Sequence, residues 1–229
     1  MKVLLIPGHG DGDPGVVRFG YNEADLTREF AALLKPELSA YCDVEIADTK
    51  KNWYRYIIKN FNRFDFTSYK YVLELHFNSN SKGEVSDGKT TGTEIYVTRE
   101  EKGVSAEENV VQGISSLGFK NRGVKRKNYD LINYIKMQGV SSALLEVCFL
   151  DDRDDVSLYQ SKKKEIARKV AEGIAKGFKL EANTLATDCK YLAEKGIINS
   201  PDYWAKGSGY SDSNTVSLIK KFAAYVRGK

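Results

Sequence analysis

Histidine is almost missing from this sequence: among 229 residues there are two, His9 and His76. Cysteine is nearly as scarce. Cys42, Cys148 and Cys189 form no Cys-x-x-Cys pair and cannot build a disulfide framework, so reduced thiols are expected. No apolar run approaches the ~20 residues that a membrane span needs. The first residues lack the basic head, long apolar centre and small-residue cleavage site of a secretory signal. The expectation is therefore a protein made in the cytoplasm, reaching any outside target by another route. Neither sign of charge dominates. With 35 basic and 31 acidic residues the net charge is +4, which forces no nucleic-acid footprint. No internal repeat or low-complexity tract is present.

What remains is an ordinary globular composition, 41% apolar and 29% charged, long enough for one substantial domain with a small appendage. Short apolar runs alternate with helical periods. Val3–Ile6, Val44–Ile46, Tyr69–Phe77, Gly92–Val97 and Ser142–Leu150 read as strands. Asn22 is placed to cap a helix through Leu26, Phe30, Leu33 and Leu34, which Pro36 closes or enters in its last turn. Residues 51 to 63 read as helical, and Ser105-Ala106-Glu107-Glu108 reads as a capping box ahead of a second helix. A third helix is expected over about 160 to 179. This alternation predicts an α/β fold, with a mixed, mostly parallel sheet covered by helices on both faces. Composition shifts after Leu180. Residues 1 to 180 are expected to form the main domain, 181 to 187 a linker, and 188 to 229 a small helical segment. The basic run 120 to 127 reads either as a solvated loop or as a contact for an anionic partner.

Both histidines lie at the ends of apolar runs, His9 in Pro7-Gly8-His9-Gly10 and His76 in Leu75-His76-Phe77-Asn78. A single histidine beside an apolar strand is more often structural than ligating. Two of them with one carboxylate would nonetheless complete a hydrolytic zinc site, which needs three protein ligands and one open position. Glu23, opening the first helix after the His9 loop, is the best-placed carboxylate, although a favourable helix N-terminal charge also accounts for it. Glu146 is a second anomaly. It is the one charge in Ala143-Leu144-Leu145-Glu146-Val147-Cys148-Phe149, a position that is costly unless paired or functional. Near a metal it could serve as general base.

Together these segments resemble the zinc-dependent N-acetylmuramoyl-L-alanine amidases of the amidase-3 family. The likeness spans roughly residues 1 to 180 and rests on Gly8-His9-Gly10 with Asp13-Pro14-Gly15, on Asn22-Glu23, on Leu75-His76-Phe77-Asn78 and on Leu145-Glu146-Val147. Gly92-Thr93-Glu94-Ile95-Tyr96 and Asn121-Arg122-Gly123-Val124 follow in family order. The resemblance implies one Zn2+ on His9, Glu23 and His76, with Glu146 as catalytic base. Its substrate would be bacterial peptidoglycan, cut between N-acetylmuramic acid and L-alanine. Asn78 and Arg122 are candidate substrate contacts. Three departures stand out: Pro7 replaces a common aspartate, Cys148 a frequent glycine, and Asp151-Asp152 the usual Ser-Asn. The tail resembles small helical segments behind catalytic domains of phage lysins, through Gly196 to Trp204. Cell-wall attachment, a structural cap and self-association are its candidate roles. A phage or prophage endolysin released through a membrane hole is the expected context. The competing readings are another zinc hydrolase, such as a peptidase, and a non-catalytic wall-binding protein.

Overall fold

A computed structural model describes residues 1–80, 83–205 and 213–228. The chain divides into two compact units, Met1–Leu180 and Glu181–Lys229.

In the first unit a six-stranded sheet is built from β1 (Lys2–Pro7), β4 (Asp43–Ile46), β5 (Tyr71–Asn78), β6 (Thr93–Val97), β7 (Asn121–Arg126) and β8 (Ser141–Phe149). Its order is β4-β1-β5-β8-β6-β7. The four strands β4, β1, β5 and β8 run parallel, whereas β6 lies antiparallel to β8 and carries β7 parallel beside it. The expected mixed, mostly parallel sheet is the observed one. Two two-residue strands, β2 (Val17–Arg18) and β3 (Tyr21–Asn22), form a hairpin after the His9 loop.

Alternation along the strands splits the sheet into two unequal faces. Val3 and Leu5, Leu73, Leu75 and Phe77, Ile95 and Val97, and Ala143, Leu145 and Val147 belong to one large core. Over that face lie α1 (Glu23–Ser39), α2 (Ser105–Ser115) and α4 (Arg153–Gly177). The opposite face holds a smaller cluster of Leu4, Ile6, Val72, Trp53, Phe66, Leu131 and Ile135. Its cover is α3 (Asp130–Met137) and a π-turn at Arg55–Lys59. Part of that face stays open, and the polar residues of β5, β8 and β6 emerge there.

The Asn22 side chain caps α1, accepting from the Asp25 backbone, and Pro36, a residue without an N–H to donate, falls in the last turn of that helix. Other local expectations need correction. Of residues 51 to 63 only 53 to 59 are helical, two α-helical residues leading into the π-turn. Asn52 Oδ1 accepts from Arg55 N, Asn62 Nδ2 closes on the Tyr56 carbonyl, and Phe61 sits at φ +53°. The capping box at Ser105 is absent. Val104 is the N-cap residue, and Glu107 turns inward, where its carboxylate accepts from the buried Tyr71 hydroxyl at 2.8 Å. The 120–127 run is largely strand β7, not a loop. Helix α4 starts at Arg153, earlier than its apolar period shows, because Asp152 accepts from the Asp154 and Asp155 backbones.

In the second unit α5 (Leu185–Glu194) begins within the expected linker, since Thr184 and Thr187 cap it reciprocally. Residues 185 to 187 are therefore helical. α6 (Pro201–Ala205) and α7 (Ser213–Arg227) follow. Asp188 is buried and pairs with Arg227 at 2.7 Å. Ile197, Tyr203, Phe222 and Tyr225 remain exposed. Residues 206 to 212 of the expected helical segment lie outside the described residues. No helix among the described residues is long and apolar enough to cross a membrane.

Candidate metal centre

The site lies where β1 and β5 end, on the open face of the sheet. β1 stops at Pro7, and the chain then runs through four consecutive left-handed residues, His9 (φ +58°), Gly10 (+95°), Asp11 (+51°) and Gly12 (+80°). A histidine in that region is strained and persists only where its surroundings fix it. Arg28 of α1 does the fixing. Its guanidinium donates to the carbonyls of Gly8 and His9 at 2.9 Å each, and also to those of Ala24, Thr49 and Lys51. Gly8 and Gly15 are there for closeness. A Cβ on Gly8 would sit 2.4 Å from the His76 ring, and one on Gly15 2.6 Å from a Glu23 oxygen.

His9, Glu23 and His76 converge, with candidate ligand atoms all within 4.8 Å of one another. Glu23 is buried and faces both rings, Oε2 3.1 Å from His9 Nε2 and Oε1 2.9 Å from His76 Nδ1. Backbone amides of Val16 and Phe77 orient it, donating at 3.1 and 3.0 Å. Each imidazole then has its second nitrogen on a further carboxylate. His9 Nδ1 meets Asp13 Oδ2 at 3.1 Å, and Asn52 donates to the same oxygen at 3.0 Å. His76 Nε2 meets Glu74 Oε1 at 3.0 Å. Pro7 therefore leaves His9 with Asp13 as its supporting acid. A carboxylate on the outer nitrogen is the arrangement that fixes the orientation of metal-binding histidines and raises their basicity.

The ionisation pattern fits a cation-binding cluster. Burial works against the His76 imidazolium, but Glu23 and Glu74 on its two nitrogens outweigh that and hold its pKa well above the ordinary value. His9 shifts the same way, with burial opposed by Glu23 and Asp13. Burial would raise Glu23, yet the two histidines keep it far below the usual carboxylate range. The carboxylates thus favour positive charge at the two rings, and a divalent cation supplies positive charge to the same donors. Two imidazoles and one carboxylate form a set suited to zinc. The residues present fit such an ion.

Across the sheet from His76 lies Glu146, its register partner on β8, and across from Glu146 lies Glu94 on β6. Glu146 Oε2 is closed off from solvent and has no hydrogen-bond partner. Burial first, then the charges of Glu23, Glu94 and Glu74 opposed by His76, push its carboxyl up to about 8. Glu94, 1% exposed, is the opposite case. It accepts from Arg122 Nε and Lys125 Nζ at 2.5 Å, Tyr96 Oη at 2.6 Å and Asn78 Nδ2 at 2.9 Å. These donors overcome burial and hold its pKa below the ordinary value.

The candidates Asn78 and Arg122 therefore meet on one glutamate, and Arg122 also stacks 4.7 Å from the Phe149 ring centroid. Asn78 lines an open cleft beside the histidines, and Arg122 lines neither cleft at the cluster. Sequence reasoning missed Glu74 and Glu94 as members of the site. Both carried the signal that drew attention to Glu146, a charge inside an apolar strand. Asp151 and Asp152 are buried too: they accept from Ser79 and Asn80 and from Thr91, tying these three residues to the start of α4.

The known proteins that this chain is similar to are amidases. The sequence matches the Amidase_3 family, described as N-acetylmuramoyl-L-alanine amidase, over residues 3–176. It is 26% identical to the amidase LytC of Bacillus subtilis (strain 168) over 155 residues, covering 68% of this chain and 30% of LytC. It is 27% identical to the amidase CwlM of Bacillus licheniformis over 196 residues, 81% of this chain and 72% of CwlM. Among solved structures, the amidase AmiC2 of Nostoc punctiforme superposes with a TM-score of 0.62 at 20% identity, over 78% of this chain and 97% of that one. The catalytic domain of the CD27L endolysin targeting Clostridia Difficile gives 0.59 at 23%, over 77% and 97%.

Proposed function

Because this chain belongs to the Amidase_3 family of N-acetylmuramoyl-L-alanine amidases, we propose that it hydrolyses the amide joining N-acetylmuramic acid to L-alanine in peptidoglycan, with His9, Glu23 and His76 holding zinc. The observation that carries this reading is the cluster itself: both histidines of the chain face one buried glutamate, and a carboxylate backs each ring. Zinc at such a site supplies a Lewis acid that acidifies water and polarises the scissile carbonyl. The chain's own residues do the rest. Glu146, unpartnered on the neighbouring strand, takes the proton of the attacking water and returns it to the leaving nitrogen. Glu94, pinned by four donors, stays ionised and fixes the floor beside Glu146.

The test is Glu146→Gln. The variant should retain one zinc per chain while peptidoglycan hydrolysis falls by roughly 10²- to 10⁴-fold, the usual share of general acid–base catalysis. Cleavage by the wild type should expose L-alanine amino termini and leave muramic acid intact, which distinguishes an amidase from a peptidase. Hydrolysis at the wild-type rate by the variant removes Glu146 from the mechanism.

We further read the chain as an endolysin of a phage or prophage, with Glu181–Lys229 as its wall-attachment unit. Its fold likeness to an endolysin catalytic domain and the exposed aromatic residues of the second unit support this.

A further inference from the structure

Two clefts of about 490 Å³ each flank the histidine cluster and share His9, Asp13, His76 and Glu146 before they diverge. One passes Gly15, Val16, Asn78 and Ser79 and opens widely to solvent. Among the described residues, no lysine or arginine lines it. The other runs over the open sheet face, floored by Ile6 and Leu144, between Trp53 and Tyr54 on one side and residues 127–131 on the other. Lys127 is the one lysine or arginine among its described lining residues.

The neighbours of Lys127 in the basic run are engaged. Arg122 and Lys125 are held by Glu94, and Arg126 donates to the carbonyls of Thr98, Arg99 and Glu101. Lys127 forms no ion pair among the described residues; its ammonium lies 4.1 Å from the Tyr129 ring centroid. The backbone holds it in place, with Lys127 N donating to Val97 O and Tyr129 N to Lys127 O, both at 2.9 Å. Asp130, the acid on the same wall, faces the Tyr54 hydroxyl at 3.4 Å.

The two arms of the substrate differ in shape and charge. The glycan is a neutral polymer that continues on both sides of the muramic acid, so it suits the open cleft, which offers no lysine or arginine among the described residues. The stem peptide leaves as a single chain and carries carboxylates. The first of these belongs to the γ-linked D-glutamate after L-alanine, whose α-carboxyl is free in some walls and amidated in others. We propose that the Trp53–Tyr129 cleft receives the stem peptide and that Lys127 pairs with this α-carboxylate, making the chain selective for non-amidated stems. The assignment rests on the amidase reading and adds a specificity residue to it.

Two soluble N-acetylmuramoyl peptides, one with D-glutamate and one with D-isoglutamine at the second position, provide the test with zinc-loaded protein. Wild type should favour the free acid in kcat/KM by about three- to fivefold, the range of one solvent-accessible ion pair. The preference should fade as salt rises. Lys127→Gln should bring the ratio to one, and Lys127→Arg should keep it. An equal ratio in wild type, or a preference that survives Lys127→Gln, overturns the proposal. If wild type cleaves neither peptide at the muramoyl amide, the amidase reading itself falls and takes this assignment with it.

Discussion

Gly8→Ala tests the site without touching a ligand or an acid. The added Cβ would lie 2.4 Å from His76 Cε1, 2.6 Å from Nε2 and 2.7 Å from the Leu75 carbonyl oxygen. That carbonyl accepts from Gly8 N at 2.9 Å and continues the β1–β5 ladder, so it has little freedom to retreat. The His76 ring must give way instead. Restoring an ordinary contact of about 3.5 Å requires a shift of about 1 Å. Zinc–nitrogen distances tolerate only about 0.2 Å. One ligand should therefore be lost, and zinc affinity should fall by at least the roughly 10- to 100-fold seen when a ligand's support is removed. Overpacking should also cost about 1–3 kcal/mol of stability, lowering Tm by a few degrees, at about 2–4 °C per kcal/mol for a chain of this size. Thermal unfolding with and without zinc, together with chelator competition, measures both effects. Gly12→Ala is the control. Gly12 lies in the same loop at φ +80° with nothing within 4 Å of the new Cβ, so it should lose about 1 kcal/mol while zinc affinity holds. Wild-type zinc affinity in Gly8→Ala would refute the reasoning, as would an equal loss in Gly12→Ala.

Asp155, buried at the start of α4, should make stability pH-dependent. Burial raises its carboxyl from 3.8 to about 7, against hydrogen bonds from the Phe149 and Gly92 amides. The folded state then holds a proton that the unfolded chain releases, so this group's contribution is complete below about pH 4 and declines as pH rises to about 7. Urea midpoints of wild type should fall relative to Asp155→Asn across that window, and parallel profiles would contradict it. Deleting residues 181–229 should reduce co-sedimentation with cell walls while leaving cleavage of soluble muramoyl peptides intact; unchanged sedimentation would assign the second unit another role. Expression inside a susceptible bacterium should leave cells intact until the membrane is permeabilised, and lysis without permeabilisation would remove the endolysin reading.

The sheet was legible because its strands are short, apolar and bounded by polar turns. His9, His76 and Glu146 stand out in the sequence because each interrupts or ends an apolar run, whereas Glu23, an ordinary helix-opening charge, stands out only by following the His9 loop. Less visible was what depends on distant partners. Glu107 fits a capping box until Tyr71, remote in sequence, claims its carboxylate. The run 120–127 looks solvated until Glu94 draws Arg122 and Lys125 onto an edge strand. Helix α3 is only two turns long, too short for its period to stand out from the flanking polar residues. Glu74 is overshadowed in the sequence by the rarer His76, two residues on. The same period of two places both on one face.

That period has an evolutionary consequence. Along β5 and β8, odd and even positions answer to different selective demands: Leu73, Leu75, Ala143, Leu145 and Val147 hold the large core, while Glu74, His76 and Glu146 face the cleft. Point changes on the cleft side can alter activity while leaving the scaffold standing, so new specificities are accessible one substitution at a time. A one-residue insertion or deletion in either strand does the opposite. It swaps the two sets, sending glutamates into the core and leucines into the cleft. Lineages carrying this sheet should therefore tolerate drift in spelling at these strands but not in length.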